Sequence, residues 1–173
     1  FKPAAQQAIT SACELLETIG KPVNLKRVYQ ILCDKSTMEE HFNELLDLDS
    51  NDDRIRLAKY FDQTFLSAAA AEQKEGIIGT IKVYLGFFMD ADIAEVFCSD
   101  EPNTIDMEDV DKGRILCTAM PQTFQTERRY INTYIKLLFY THAMMRFDKP
   151  KAQRKTENLL IALMDEFQAL ATA

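Results

Sequence analysis

Apolar positions recur through the first hundred residues at the 3.6-residue spacing that gathers them on one side of an α-helix. In residues 3–19 they are Ala8, Ala12, Leu15, Leu16 and Ile19, with Pro3 suited to a first turn and Gly20 to a C-terminal cap. Asn24 is placed to cap a short helix carrying Leu25, Val28, Ile31 and Leu32. Ser36 and Glu39 have capping-box spacing for a helix through Leu46. A long helix is predicted from Ser50, with Leu57, Phe61, Phe65 and Ala68 on one face. Another runs from about Glu72, with Ile77, Ile78, Ile81, Tyr84, Leu85 and Phe88 inward. A short turn from Ile93 to Phe97 leads into the polar stretch SDEPNT (99–104). Five or six helices with no strand among them predict an α-helical bundle.

After residue 112 the pattern changes. Gly113 precedes RILCTAM (114–120), which reads as a strand ended by Pro121. Thr123 is placed to cap a helix through about Phe147, whose polar stripe (Arg129, Asn132, Thr133, Lys136) is so narrow that most of the helix is expected to be buried. The charged loop DKPKAQRKTE (148–157) then leads to NLLIALMDEFQ (158–168). Six apolar residues, Leu159 to Met164, running into Asp165 and Glu166 read as a strand buried on both faces. Strand, helix, strand makes a βαβ unit, which demands a parallel sheet and further strands to complete it. The expected organisation is therefore a helical domain, 1–112, followed by a partial α/β domain, 113–173.

The charge changes at the same place. Residues 1–112 hold 11 Lys/Arg and 22 Asp/Glu, a balance of −11, while residues 113–173 hold 9 and 5, a balance of +4. An acidic bundle is ill suited to gripping phosphate backbones, which takes clustered cations. Hydrophobic residues make up 47%, with only 5 Gly and 5 Pro, which excludes a disordered chain on composition. Cys13, Cys33, Cys98 and Cys117 show no CxxC or CxxH grouping, which points to buried thiols in a reducing compartment. The most apolar region, IIGTIKVYLGFFM (77–89), is broken by Lys82 and too short to span a bilayer. Phe1 opens without a Met, as an excised piece would.

Asp165 and Glu166 are the leading candidate site, because open α/β sheets place ligands just beyond the carboxyl ends of their strands. In a P-loop nucleotide hydrolase an acid at such a strand end helps hold Mg²⁺ through water, and its neighbour orients or deprotonates the attacking water. The plain alternative is that the two acids begin a loop or cap a helix. No GxxxxGK(S/T) phosphate loop occurs; the nearest match, GIIGTIK (76–82), has the wrong spacing, and Gly76 and Gly79 there are expected to permit close helix packing. DLDSNDD (47–53) fails as an EF-hand, with Asp52 at the sixth position and Ala58 at the twelfth, and reads as a solvated helix start. DMEDVD (106–111) reads as a solvated turn or an acidic docking strip. His41 and His142 lack metal-ligand spacing, and Arg128 with Arg129 is either surface charge or a nucleic-acid or subunit contact.

The succession of a helical segment, IDMEDVDKGRILCTAMP (105–121), a long helix and LLIALMDEFQ resembles the type IV secretion coupling proteins, TraG/TraD-type conjugation motors. In that family an all-α domain is inserted into a RecA-like P-loop motor domain, between the phosphate loop and the Walker-B strand. Lys112-Gly113 to Pro121 is similar to the family's turn, Gly, strand, Pro passage, and Leu159 to Phe167 to its strand-DEF motif. The resemblance implies that Asp165 is the Mg²⁺-associated acid and Glu166 the catalytic acid of an ATPase. ATP and Mg²⁺ would be cofactors of the intact parent, with none expected on this piece. It further implies a homo-hexamer at the cytoplasmic face of the bacterial inner membrane, with relaxase–DNA or effector proteins as partners of the helical domain. Two rival expectations stand beside it: a helical adaptor with no motor ancestry, and a RecA-like translocase of the chromosome-partitioning or virion-packaging kind.

Overall fold

Helix α1 (Lys2–Thr18) ends as its sequence predicts. Gly20 takes φ 71°, Gly20 N–H donates to the Glu17 carbonyl (3.1 Å) and Lys21 N–H to that of Leu16 (2.9 Å), which is a Schellman cap. The chain turns there into α2 (Leu25–Cys33), where Asn24 Oδ1 accepts from Arg27 N–H at 2.8 Å. This is a computed structural model, and it describes residues 2–49, 51–67, 71–100, 106–150 and 158–163. The chain divides into two compact units, Phe1–Asp100 and Glu101–Ala173.

The first unit is the helical bundle. After α2 come α3 (Lys35–Leu46), α4 (Asp52–Phe61), a π-helical turn (Asp62–Leu66), α5 (Ala71–Leu85), a 3-10 turn (Gly86–Met89) and α6 (Ala91–Phe97). Helices α1, α2 and α5 pack on one another, and α3 and α4 close the remaining sides of α1. The predicted faces are the buried ones: Ala8, Ala12, Leu15 and Leu16 of α1, Val28, Ile31 and Leu32 of α2, Leu57 and Phe61 of α4, Ile77, Ile81 and Leu85 of α5. Asp100 returns the end of the unit to the start of α2, accepting from Asn24 Nδ2 and Arg27 Nη2, both at 2.9 Å.

Several local expectations need correcting. Helix α3 is capped by Asp34, whose carboxylate accepts from Thr37 N–H (2.9 Å), Thr37 Oγ1 and Ser36 Oγ; Ser36 sits inside the first turn. The side-chain cap of α4 is Asn51, accepting from Arg54 N–H. The long helix from there does not continue as α-helix through residue 66. Leu57, Phe61 and Phe65 lie four apart, so each step drifts about 40° around a 3.6-residue helix. The wider turn after Phe61 rotates less per residue and swings Phe65 back to the buried side. Lys74 Nζ donates to the freed Phe65 carbonyl at 2.7 Å. Gly79 does not serve close packing: a Cβ there would meet nothing within 4 Å.

The second unit departs further from expectation. It contains α7 (Met107–Asp111) and α8 (Gln125–Phe147). Among the described residues there is no strand, so the partial βαβ unit is not formed; residues 114–120 and 158–163 are irregular. The physical reason is that two parallel strands leave most of their N–H and C=O groups unpaired without neighbours to complete a sheet. Helix α8 was expected to be largely buried, yet of its 23 residues only Ile131 is. It begins after Phe124 with no side-chain cap, so Thr123 does not play that part. Among the described residues no helix is long and apolar enough to cross a membrane.

Two outcomes follow for the bundle. Phe61→Ala should lower its unfolding free energy by about 3–5 kcal/mol, read as a reduced denaturant midpoint, because a fully buried ring is replaced by a cavity. The three hydroxyl and amide donors around Asp34 hold its carboxyl down to about 2, led by the Thr37 hydroxyl. A lowered folded-state value means stability present above about pH 4 and lost as pH falls toward 2. Asp34→Asn, which can still cap, should flatten that acid-side loss in denaturation midpoints measured from pH 5 to pH 2.

Candidate functional site

Asp165 and Glu166 lie outside the described residues, and so does the putting together of any acid pair there. The described chain instead assembles a polar cluster at the residues that lead to them. Helix α7 ends in a tight reversal: Gly113 adopts φ 90°, its N–H donates to the Val110 carbonyl (3.0 Å), and Arg114 N–H donates to that of Asp109 (3.0 Å). The Asp109 carboxylate holds Lys112 Nζ at 3.3 Å and Arg114 Nη1 at 3.0 Å, so one acid fastens both sides of the reversal.

Asp111, the last residue of α7, faces α8. His142 Nε2 donates to Asp111 Oδ2 at 2.9 Å, and Arg146 Nη1 lies 3.3 Å from Asp111 Oδ1. Their side chains are 15%, 13% and 20% exposed for His142, Arg146 and Asp111, sheltered enough for the charges to matter. Arg146 Nη2 also donates to the Asn158 carbonyl (2.6 Å), and Asn158 Nδ2 donates to the Asp111 carbonyl (2.8 Å). Hydrogen bonds to charged groups contribute about 1.5–3 kcal/mol each when sheltered. The cluster thus ties the end of α7 and the last turns of α8 to Asn158, at the start of residues 158–163.

Beyond that point both segments are open to solvent. Ile115 is 94% exposed, Leu159 83%, Ile161 64% and Leu163 93%. On α8, Leu137, Leu138, Tyr140, Met144, Met145 and Phe147 are exposed as well. A hollow of about 350 Å³ beside α7 is lined by Asp106, Asp109, Arg114 and Cys117 together with Val110, Ile115 and Leu116.

No family model, no curated protein and no solved structure matches this chain. Its chemistry is therefore read from its own residues. The described residues hold no group of three or more His, Cys, Asp or Glu able to take a metal ion, and the sequence has no phosphate loop.

The other sequence candidates resolve into structure. His41 is buried in α3, its Nδ1–H donating to the Thr37 carbonyl at 2.8 Å. GIIGTIK lies within α5, with Ile77 and Ile81 in the core. Asp52 and Asp53 occupy the first turn of α4, as a solvated helix start would. DMEDVD is a short helix rather than a turn, and its last acid is the hub of the cluster. From the sequence, His142 lacks metal-ligand spacing, Asp111 reads as part of a solvated turn or docking strip, and Arg146 carries no expectation. The available signal was the spacing of His142 and Arg146, four apart on a long helix and so on one face, with an acid required opposite them.

Buried thiols were expected at all four cysteines, but Cys98 alone is buried, Cys13 and Cys33 are half-buried and Cys117 is exposed. Burial pushes the Cys33 thiol up to about 11, against the opposing pull of Lys82 and of the Tyr29 hydrogen bond. Since the thiolate is the nucleophile, a maleimide at pH 8 should label Cys117 rapidly and leave Cys33 largely unmodified in the folded chain. Peptide mapping after a short pulse checks this, and equal labelling of the two would contradict it.

Proposed function

We propose that this chain spans the helical recruitment domain and the following piece of the RecA-like motor of a type IV secretion coupling ATPase. The observation that supports the reading is the hydrogen bond that ties Asn158, at the head of the second apolar segment, to Asp111, shortly before the first, with α8 between the two segments. Parallel neighbours joined by a crossover helix must start at the same end of their sheet, and the tie of Asn158 to Asp111, three residues ahead of Arg114, is compatible with that arrangement. The exposed apolar residues of both segments and of α8 are the surface that a completed sheet would cover. Asp165 then follows the second strand as the acid that holds Mg²⁺ through water, and Glu166 as the acid that activates the attacking water.

The bundle's part is recruitment. Residues 1–100 carry 10 Lys/Arg against 17 Asp/Glu, and such a surface suits a basic protein partner, such as a relaxase or effector, better than bare DNA. In the intact parent, a homo-hexamer at the cytoplasmic face of the inner membrane, the motor piece would contribute its acids to ATP-driven translocation. Glu166→Gln in the ATP-hydrolysing parent is expected to abolish turnover while nucleotide binding persists. Turnover at the unaltered rate would remove the assignment.

A second reading, a helical adaptor without motor ancestry, is favoured by the irregular course of residues 114–120 and 158–163. The coding sequence ahead of Phe1 separates the two, since a GxxxxGK(S/T) loop belongs to the motor and its absence to the adaptor.

A further inference from the structure

We infer that the outward stripe of α8 is a self-association surface, which takes the same stripe of a second copy of this chain with the two helices parallel. Leu137, Tyr140, Met144 and Phe147 alternate three and four apart, so they repeat every seven residues. Their exposures are 53%, 49%, 65% and 66%. Half-buried Tyr130 and Thr133 carry the same spacing one repeat toward the start of the helix. No charge stands at any of these six positions. A repeat of seven drifts only about 20° round a helix at each step, so the stripe can follow a second helix laid beside it. It does not suit an extended segment, whose contacts recur every two residues.

The side of α8 that meets α7 is a different one, where His142 and Arg146 reach Asp111. A third line, Ile131, Leu138 and Met145, lies about 100° round the helix from Leu137 and Met144. A sheet laid along that line leaves the outward stripe uncovered, so the inference goes beyond the motor reading and does not rest on it.

Charge and area point to a second copy as the occupant. In a parallel pair the flanking Arg129 and Lys136 face Tyr134 and Thr141 of the other copy, so no like charges meet. Antiparallel pairing would turn Glu127 toward Asp148 of the other copy, acid against acid. Parallel pairing also sets Leu137 on Leu137, Met144 on Met144 and the rings of Tyr140 and Phe147 on their own counterparts, so each layer buries like with like. The four exposed side chains offer about 500 Å² per copy, below the roughly 800 Å² of a standard interface, which suits a weak, reversible dimer.

Sedimentation of the 173-residue chain tests the pairing. Apparent mass should rise toward that of a dimer between about 1 and about 100 µM, the range of weak contacts of this size. Leu137→Lys with Met144→Lys should raise the midpoint about tenfold or more with helicity unchanged, because it sets four ammonium groups in the seam. Leu138→Lys, on the neighbouring line, should leave the midpoint where it was. Met144→Cys in a Cys117→Ser background should join two copies under mild oxidation, since the parallel pair sets each residue 144 beside its counterpart. A monomer across the whole range overturns the inference and leaves the stripe to a sheet or to another protein. So does a dimer that the double lysine variant leaves intact, that Leu138→Lys weakens equally, or that Met144→Cys does not cross-link.

Discussion

Ala8 and Ala12 have no exposed surface, and the helix that carries them, α1, packs against α2 and α5. The rest of the first unit is arranged around that packing. Leu15 and Leu16 extend the buried stripe toward the Gly20 cap, and Val28, Ile31, Ile77 and Ile81 fill the core from the other two helices. Each helix carries one apolar face and finds another to cover it. That condition, every apolar face met by a partner, is what a helical bundle can satisfy from within about a hundred residues.

The second unit shows the same condition unmet. Its long helix buries Ile131 alone, and its two apolar segments stay open. What holds it together is polar. Asp109 fastens the reversal at Gly113, and Asp111, His142, Arg146 and Asn158 tie α7, α8 and the later segment at one point. Polar ties of this kind fix where segments begin, since their geometry is directional, but they bury little area. An end can therefore be well placed while the segment beyond it has no sheet to join. The recruitment-and-motor proposal draws on that contrast, between an acidic bundle whose apolar faces are covered and a following piece whose apolar residues are exposed.

Sequence reading found the bundle because its signal is local. Period, cap and terminal glycine all lie within one helix, and at Gly20, Asn24 and the faces of α1, α2 and α5 they agreed. It placed the caps of α3 and α4 one or two residues away, at Ser36 and Ser50 rather than Asp34 and Asn51, since Ser, Asn and Asp compete for such positions on nearly equal terms. It did not foresee the π-helical turn, which depends on Phe65 reaching the buried side and not on a residue type that marks such a turn.

The acid pair at 165–166 was legible as a motif and lies outside the described residues. The chain by itself determined where α1, α2 and α5 lie, which of their apolar faces are buried and that an acidic part precedes a basic one, because each of these is written in neighbouring residues. Only the tertiary structure decided that residues 114–120 and 158–163 are not strands, that α8 is open, and that His142 and Arg146 meet Asp111. Strand formation and ion pairing both depend on partners distant in the chain, and no local pattern says whether those partners are at hand.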